Sequence, residues 1–129
     1  MTQMRRFPNI GTVIQVHADL ISQFGGVPGI WDAEALESAL LRPWVGNYDG
    51  VAAEAAALME GLFHYRPFID GNKRTATAIG EMFLLDNGYF IAVDDIFDAF
   101  YFFMQLFDDE MFLFSNLYPW LSEHIRRRP

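Results

Sequence analysis

The chain has no cysteine, a single lysine and no long apolar run. Without cysteine there is no disulfide framework, no thiolate metal site and no thiol nucleophile. No apolar stretch approaches the roughly 18 residues that a membrane-spanning helix needs. The start, MTQMRRFPNIG, has two arginines with no apolar segment behind them, so neither a signal peptide nor a membrane contact is expected. Basic residues are scarce, with 9 Lys and Arg against 17 Asp and Glu, a net charge of -8. Direct nucleic-acid binding, which relies on Lys and Arg to neutralise phosphates, is not expected. The expected location is the cytoplasm.

What is present is apolar and aromatic. Hydrophobic residues make up 52% of 129 residues, with 13 Phe, 5 Tyr and 3 Trp, enough for one core and a single domain over residues 1–129. The charges are segregated. From Asp86 to Glu110 there are acidic residues and no Lys or Arg, while the cations sit at the N-terminus, at Arg42 and Arg66, in Lys73-Arg74 and in the Arg126-Arg127-Arg128 tail. That layout suits a basic partner outside and an anionic ligand inside. The plainer reading is a solvated acidic face.

The apolar periodicity is helical nearly throughout, predicting an all-α fold of six to seven helices. Val13, Val16, His17, Leu20, Ile21 and Phe24 share one stripe that Gly25-Gly26 stops. Asp32 is an N-cap candidate for a helix through Leu41, which Pro43 should end. RPWVGNYDG then reads as a flap loop at about 43–50, or a small hairpin. The alanine-rich VAAEAAALMEGLFHY predicts a buried central helix ended by Pro67. A further helix should run from Asn72 to Asn87, with Gly88 beyond it, and YFIAV at 89–93 reads as an extended piece. The remainder predicts an aromatic helix from Asp94, a turn near Asp108-Asp109, and a helix into Trp120 and Ile125 that Pro119 breaks or restarts.

Between the two apolar helices lies HYRPFIDGNKRT. A helix starting at Asn72 presents free N–H groups and a partial positive charge, which together favour phosphate. Gly71 permits close approach or a positive φ. Asn72 can cap the helix or donate to a phosphate oxygen. Lys73 and Arg74 put cations in the first turn, where they oppose the helix dipole unless an anion sits beside them. Asp70 is a natural Mg2+ ligand next to such an anion. Taken singly, each residue also fits ordinary turn chemistry or a solvated face.

PFIDGNKRTA resembles the signature of the Fic/Doc superfamily, HPFx[DE]GN[GK]R, and HADLISQFGGVPGIWDAEALESALLRP is similar to the N-terminal part of Doc-type (death-on-curing) proteins. The resemblance implies a Fic/Doc helical domain and a toxin of a toxin–antitoxin pair. Adenylylating members carry Gly where this chain has Lys73, and a further Arg where it has Thr77. The lysine therefore implies the Doc-type reaction, transfer of the γ-phosphoryl group of Mg-ATP to a protein hydroxyl, with elongation factor Tu of a bacterial host as expected target. Carried over by position, Asp70 would bind Mg2+, Gly71 and Asn72 would form the anion turn, Lys73 and Arg74 would hold phosphates, and Phe68 would anchor the loop. The expected partner is a Phd-type antitoxin peptide, helical in a groove lined by part of the series Phe97, Phe100, Tyr101, Phe102, Phe103, Phe107.

One position departs from the pattern. The family's base is the histidine before Pro-Phe, and here that residue is Arg66, which cannot accept a proton at neutral pH. The nearest histidine is His64. Continued helix would turn it roughly 200° away, and extended chain would set it roughly 6–7 Å back. Three readings stay open. Activity is lost and the protein only binds a nucleotide or a partner. Alternatively a weaker base, Asp70 or His64, serves while Arg66 stabilises the phosphoryl group. Or Arg66 is a substitution in a histidine-containing parent. An adenylyltransferase is a further alternative. His17 reads as a hydrogen-bonded core histidine and His124 as a surface one.

Overall fold

The computed structural model of this protein describes residues 4–129, so the first residues of the N-terminal stretch read above lie outside it. Six helices follow in order: α1 (Ile10–Phe24), α2 (Ala33–Val45), α3 (Val51–His64), α4 (Asn72–Asp86), α5 (Asp98–Asp108) and α6 (Phe114–His124). A two-stranded antiparallel sheet joins β1 (Tyr89–Ile91) to β2 (Ile125–Arg127), with Phe90 opposite Arg126. Among the described residues no helix is long and apolar enough to cross a membrane.

The alanine-rich helix is the axis of the domain, as its composition predicts. α3 is buried from Val51 to Leu62 except at Glu60, and α2, α4 and α6 pack around it. Small side chains let the neighbours close in: a Cβ at Gly61 would lie 3.4 Å from Ala39 Cα of α2. The two acids on this helix are each matched. Glu54 receives Arg5 Nε at 2.9 Å, and Glu60 pairs with Arg42 while accepting the Phe114 N–H. α4 stops where Asn87 turns the chain, with Gly88 at φ 86° after it.

Several boundaries move from their expected places. Pro43 does not end α2, which runs on to Val45. Leu36, Ala39, Leu40 and Pro43 form one buried stripe, and the helix closes on Gly46 N–H to Arg42 O at 2.9 Å. Burial of that stripe outweighs the ladder bond a late proline removes. The expected flap at 43–50 is thus only the connection 46–50, and no strand or hairpin forms there. The aromatic helix starts at Asp98 instead of Asp94, because Asp95 and Asp98 side chains take the Phe97 and Asp95 N–H groups in local turns. Pro119 lies inside α6; the Ser115 carbonyl it deprives of a partner belongs to a solvent-exposed residue, while Leu117 and Leu121 stay buried. Ile125 leaves α6 to begin β2. His124 is half-buried and stacked on Trp120 at 4.1 Å, not a free surface residue.

Asn87 ties the N-terminal segment to the domain. Its Oδ1 accepts the Arg6 N–H at 2.7 Å, and its Nδ2 donates to the carbonyls of Arg6 (2.9 Å) and Phe83 (2.7 Å). Replacing Asn87 by Ala leaves those groups without partners and should cost about 2 kcal/mol, read as a lower urea midpoint at unchanged m-value.

Candidate functional site

Three elements meet at the loop between α3 and α4. After α3, Tyr65 is still helical, and the chain then turns at Arg66, which has φ 49°. A positive φ costs a non-glycine residue on the order of 1 kcal/mol. Histidine occurs there more readily than most residues. This turn swings Pro67 and Phe68 inward, and Phe68 is 2% exposed.

Phe68 is fixed on every side. Asn72 Oδ1 accepts its N–H at 3.1 Å and Asn72 Nδ2 donates to its carbonyl at 2.9 Å. The ring lies flat on the His17 imidazole, centroids 3.8 Å apart at 7°. His17 is itself buried in α1, and its Nε2–H donates to the Asp70 carbonyl at 2.7 Å. The histidine expected from sequence to be buried and hydrogen-bonded is so, and it is also the support beneath the loop. Asn72 neither caps α4 with its side chain nor points its amide outward, since both polar ends are spent on Phe68.

The segment after α1 forms the other wall. Trp31 and Asp32 donate their N–H groups to the Pro67 carbonyl at 2.8 and 3.0 Å, and Ile69 N–H reaches Gly29 O at 3.1 Å. Val27 N–H donates to Asp70 Oδ2 at 3.1 Å, and Gly71 N–H to Oδ1 at 2.9 Å. Those two backbone donors, ahead of the smaller attraction to Arg74 and His17, hold the Asp70 carboxyl below its usual range, so it is ionised. Gly26, at φ 121°, fits under Asp70 because a Cβ there would come within 2.8 Å of Oδ2. The sequence signal for this wall was present in GGVPGIW, whose turn residues fill a gap between helices.

Gly71 is the N-cap of α4, left-handed at φ 78°. Behind it the N–H groups of Asn72, Lys73 and Arg74 have no hydrogen-bond partner among the described residues. The Lys73 ammonium lies 5.5 Å from the Phe107 ring centroid and the Arg74 guanidinium 4.9 Å from that of Phe24. Among the described residues neither cation, nor Arg66, makes a salt bridge. The structure so brings together Asp70, Gly71, the α4 N-terminus, Lys73 and Arg74. His64 is drawn aside: its Nε2–H donates to the Phe112 carbonyl at 2.7 Å, in the α5–α6 connection.

The model of the Fic/DOC family matches residues 8–84, which carry α1 to most of α4 and hence the whole loop and both its walls. The chain belongs to the Fic/DOC family. The curated protein "Toxin Doc" of Mycolicibacterium smegmatis is 40% identical over 77 residues, 55% of this chain and 58% of the relative. The chain thus spans little more than half the length of that relative. The loop lies within the family match, whereas α5, α6 and the sheet lie beyond it.

Two variants test this geometry. Arg66→Gly should raise stability by about 1 kcal/mol in urea unfolding, because glycine accepts the positive φ without strain. His17→Phe keeps the stack on Phe68 but leaves the Asp70 carbonyl unpaired. It should lower stability by about 1–2 kcal/mol and broaden the amide resonances of residues 70–74.

Proposed function

We propose that the chain is a Doc-type toxin of a toxin–antitoxin pair, with a loop that holds the phosphates of ATP. Its reaction is transfer of the γ-phosphoryl group to a hydroxyl of a translation protein, elongation factor Tu being the expected target. The observation carrying this reading is the α4 N-terminus: three open N–H groups behind a left-handed glycine, flanked by two cations without carboxylate partners. A triphosphate satisfies the donors and the cations together.

Mg2+ fits the residues present. Each Asp70 oxygen takes one N–H donor, which leaves acceptor capacity on both, and the carboxyl is ionised. No cluster of three or more His, Asp or Glu occurs among the described residues, and Asp70 is the carboxylate that the loop offers. Mg2+ accepts such a site, taking its other ligands from phosphate and water, and when bound it neutralises phosphate charge.

In the transfer, the target hydroxyl oxygen forms a bond to γ-phosphorus, the bond to the β–γ bridging oxygen breaks, and the hydroxyl proton must leave. Here the chain is poorly equipped. Arg66 stands at the base position and accepts no proton. Asp70 is a weaker base than an ordinary carboxylate because its backbone donors favour the ionised form. His64 has its Nε2–H committed to Phe112, leaving only Nδ1 as an acceptor. Positioning and charge neutralisation remain, so turnover is impaired but binding is retained. An exposed Arg66 without an acid partner also favours a second reading, a non-catalytic nucleotide- or partner-binding protein. Against adenylylation, Thr77 stands where the adenylylating pattern has a further Arg, and its hydroxyl donates back to the Lys73 and Arg74 carbonyls.

A helical antitoxin of the Phd type is the proposed partner. Phe97, Phe100 and Tyr101 are exposed on one side of α5, while Phe103 and Phe107 are core and Phe102 stacks on Trp120. The exposed three are the part of the series open to such a partner helix.

The deciding assay offers γ-labelled or α-labelled ATP with elongation factor Tu to this protein and to Arg66→His. Label should arrive from the γ position only, and turnover should rise by about 10²-fold or more in Arg66→His. The Mg-ATP dissociation constant should stay the same or rise, because a cation has been removed. Label from the α position makes the protein an adenylyltransferase. Tight ATP binding without turnover in either protein places it in the binding class.

A further inference from the structure

The small sheet has an open side. Ala92 N–H donates to His124 O at 2.7 Å and Arg128 N–H to Gly88 O at 2.8 Å. With Phe90 opposite Arg126, the groups of Gly88, Phe90 and Ala92 therefore face β2. Those of Tyr89, Ile91 and Val93 point the other way, where no strand lies among the described residues. Their N–H groups have no partner there either.

Beside this edge runs a groove of about 410 Å3 walled by Glu81 and Leu85 of α4, Phe90 to Val93, and Ile96 and Ala99. Ile96 is 82% exposed at its rim. Carboxylates lie on the α4 and 94–98 sides of the groove, while the cations Arg126 to Arg128 lie on the β2 side, where Arg128 donates to the Leu85 carbonyl at 3.2 Å. Glu81, Asp86, Asp94, Asp95 and Asp98 make no salt bridge among the described residues, in which only Arg5–Glu54 and Arg42–Glu60 pair. The apolar wall pushes the Glu81 carboxyl above its usual range. The chain's own basic strand shows what suits β1: Ile125-Arg126-Arg127 already occupies its other edge, with the Arg127 guanidinium 5.3 Å from the Tyr89 ring centroid.

We infer that the free edge of β1 and its acidic, apolar groove form a docking site for a basic extended segment of a partner protein, added as a third strand. Such a strand supplies main-chain partners for Tyr89, Ile91 and Val93, places alternate apolar side chains against Leu85 and Ile96, and sets Lys or Arg beside Glu81 and Asp94. A second copy of this chain is a poorer occupant, because its net charge is also -8. The site is independent of the phosphate loop. It also differs from the proposed α5 surface in taking an extended rather than a helical ligand.

The test uses the synthetic peptide Arg-Ile-Arg-Val-Arg-Ile-Arg, its Glu-for-Arg counterpart, and two copies N-methylated at alternate residues in opposite phase. Binding is followed by calorimetry and by amide hydrogen exchange of the intact protein. The basic peptide should bind and protect the Tyr89, Ile91 and Val93 amides. One N-methyl phase should lose at least about tenfold in affinity and the other little, since only one set of amides faces the edge. Glu81→Gln with Asp94→Asn should weaken binding about fivefold at unchanged circular dichroism. Equal binding of both N-methyl phases, equal binding of the acidic peptide, or no protection at those three amides overturns the proposal. So does concentration-dependent dimerisation that protects the same amides, which would make the occupant a second copy. The N-methyl comparison leaves the protein unaltered, so it decides even if the acidic-site variant misfolds.

Discussion

Asn72 holds the Phe68 peptide unit by both its N–H and its C=O, and the arrangement of the site depends on that grip. Phe68 must be buried for the loop to close, and burial removes its backbone from water. One amide side chain satisfies both groups without adding charge. With Phe68 seated, the His17 ring lies against it and reaches Asp70 O. Asp70 is then turned so that Val27 and Gly71 can donate to its carboxylate, and Gly71 takes the left-handed conformation that opens α4. The free N–H groups of α4 are thus the far end of a chain of contacts that begins in the core.

Electrostatics completes what packing begins. Three cations surround this loop without carboxylate partners among the described residues, in a chain whose acids outnumber its bases almost two to one. Lys73 and Arg74 rest instead against the faces of Phe107 and Phe24, which attract cations weakly, and apart from the smaller attraction between Arg74 and Asp70 their charge stays open. A site that holds cations apart from the protein's plentiful carboxylates is organised for an external anion. On the proposed reading Arg66 adds to that field while offering no proton acceptor, so that binding and chemistry would be separated at a single residue.

Much of this was legible in the sequence. The alanine run gave the central helix, Gly71 and Gly88 marked helix ends, and PFIDGNKRTA located the loop. The errors arose where side chains outvote local backbone rules. Pro43 and Pro119 sit within helices because burial of Leu36, Ala39 and Leu40, or of Leu117 and Leu121, decides the outcome. His17 is the buried, hydrogen-bonded histidine that its place on an apolar stripe predicts, but its part in the site, like the grip of the Asn72 side chain on Phe68, was hidden for another reason. A pattern can show that an amide sits at a helix start or a histidine on an apolar stripe. It cannot show that both converge on one phenylalanine more than fifty residues from His17, which is a matter of tertiary contact. The β1–β2 pairing was likewise invisible, since Ile125-Arg126-Arg127 carries no strand signal until Tyr89–Ile91 lies beside it.

The central claim is that the start of α4 is a ready-made phosphate site held from below by Phe68. Titration of the isotope-labelled protein with Mg-ATP, followed amide by amide in nuclear magnetic resonance, tests it directly. The account predicts saturable shifts concentrated at Asn72, Lys73 and Arg74, with the Phe68 amide unmoved because Asn72 already holds it. Saturable binding that leaves those three amides in place and shifts resonances elsewhere would contradict it.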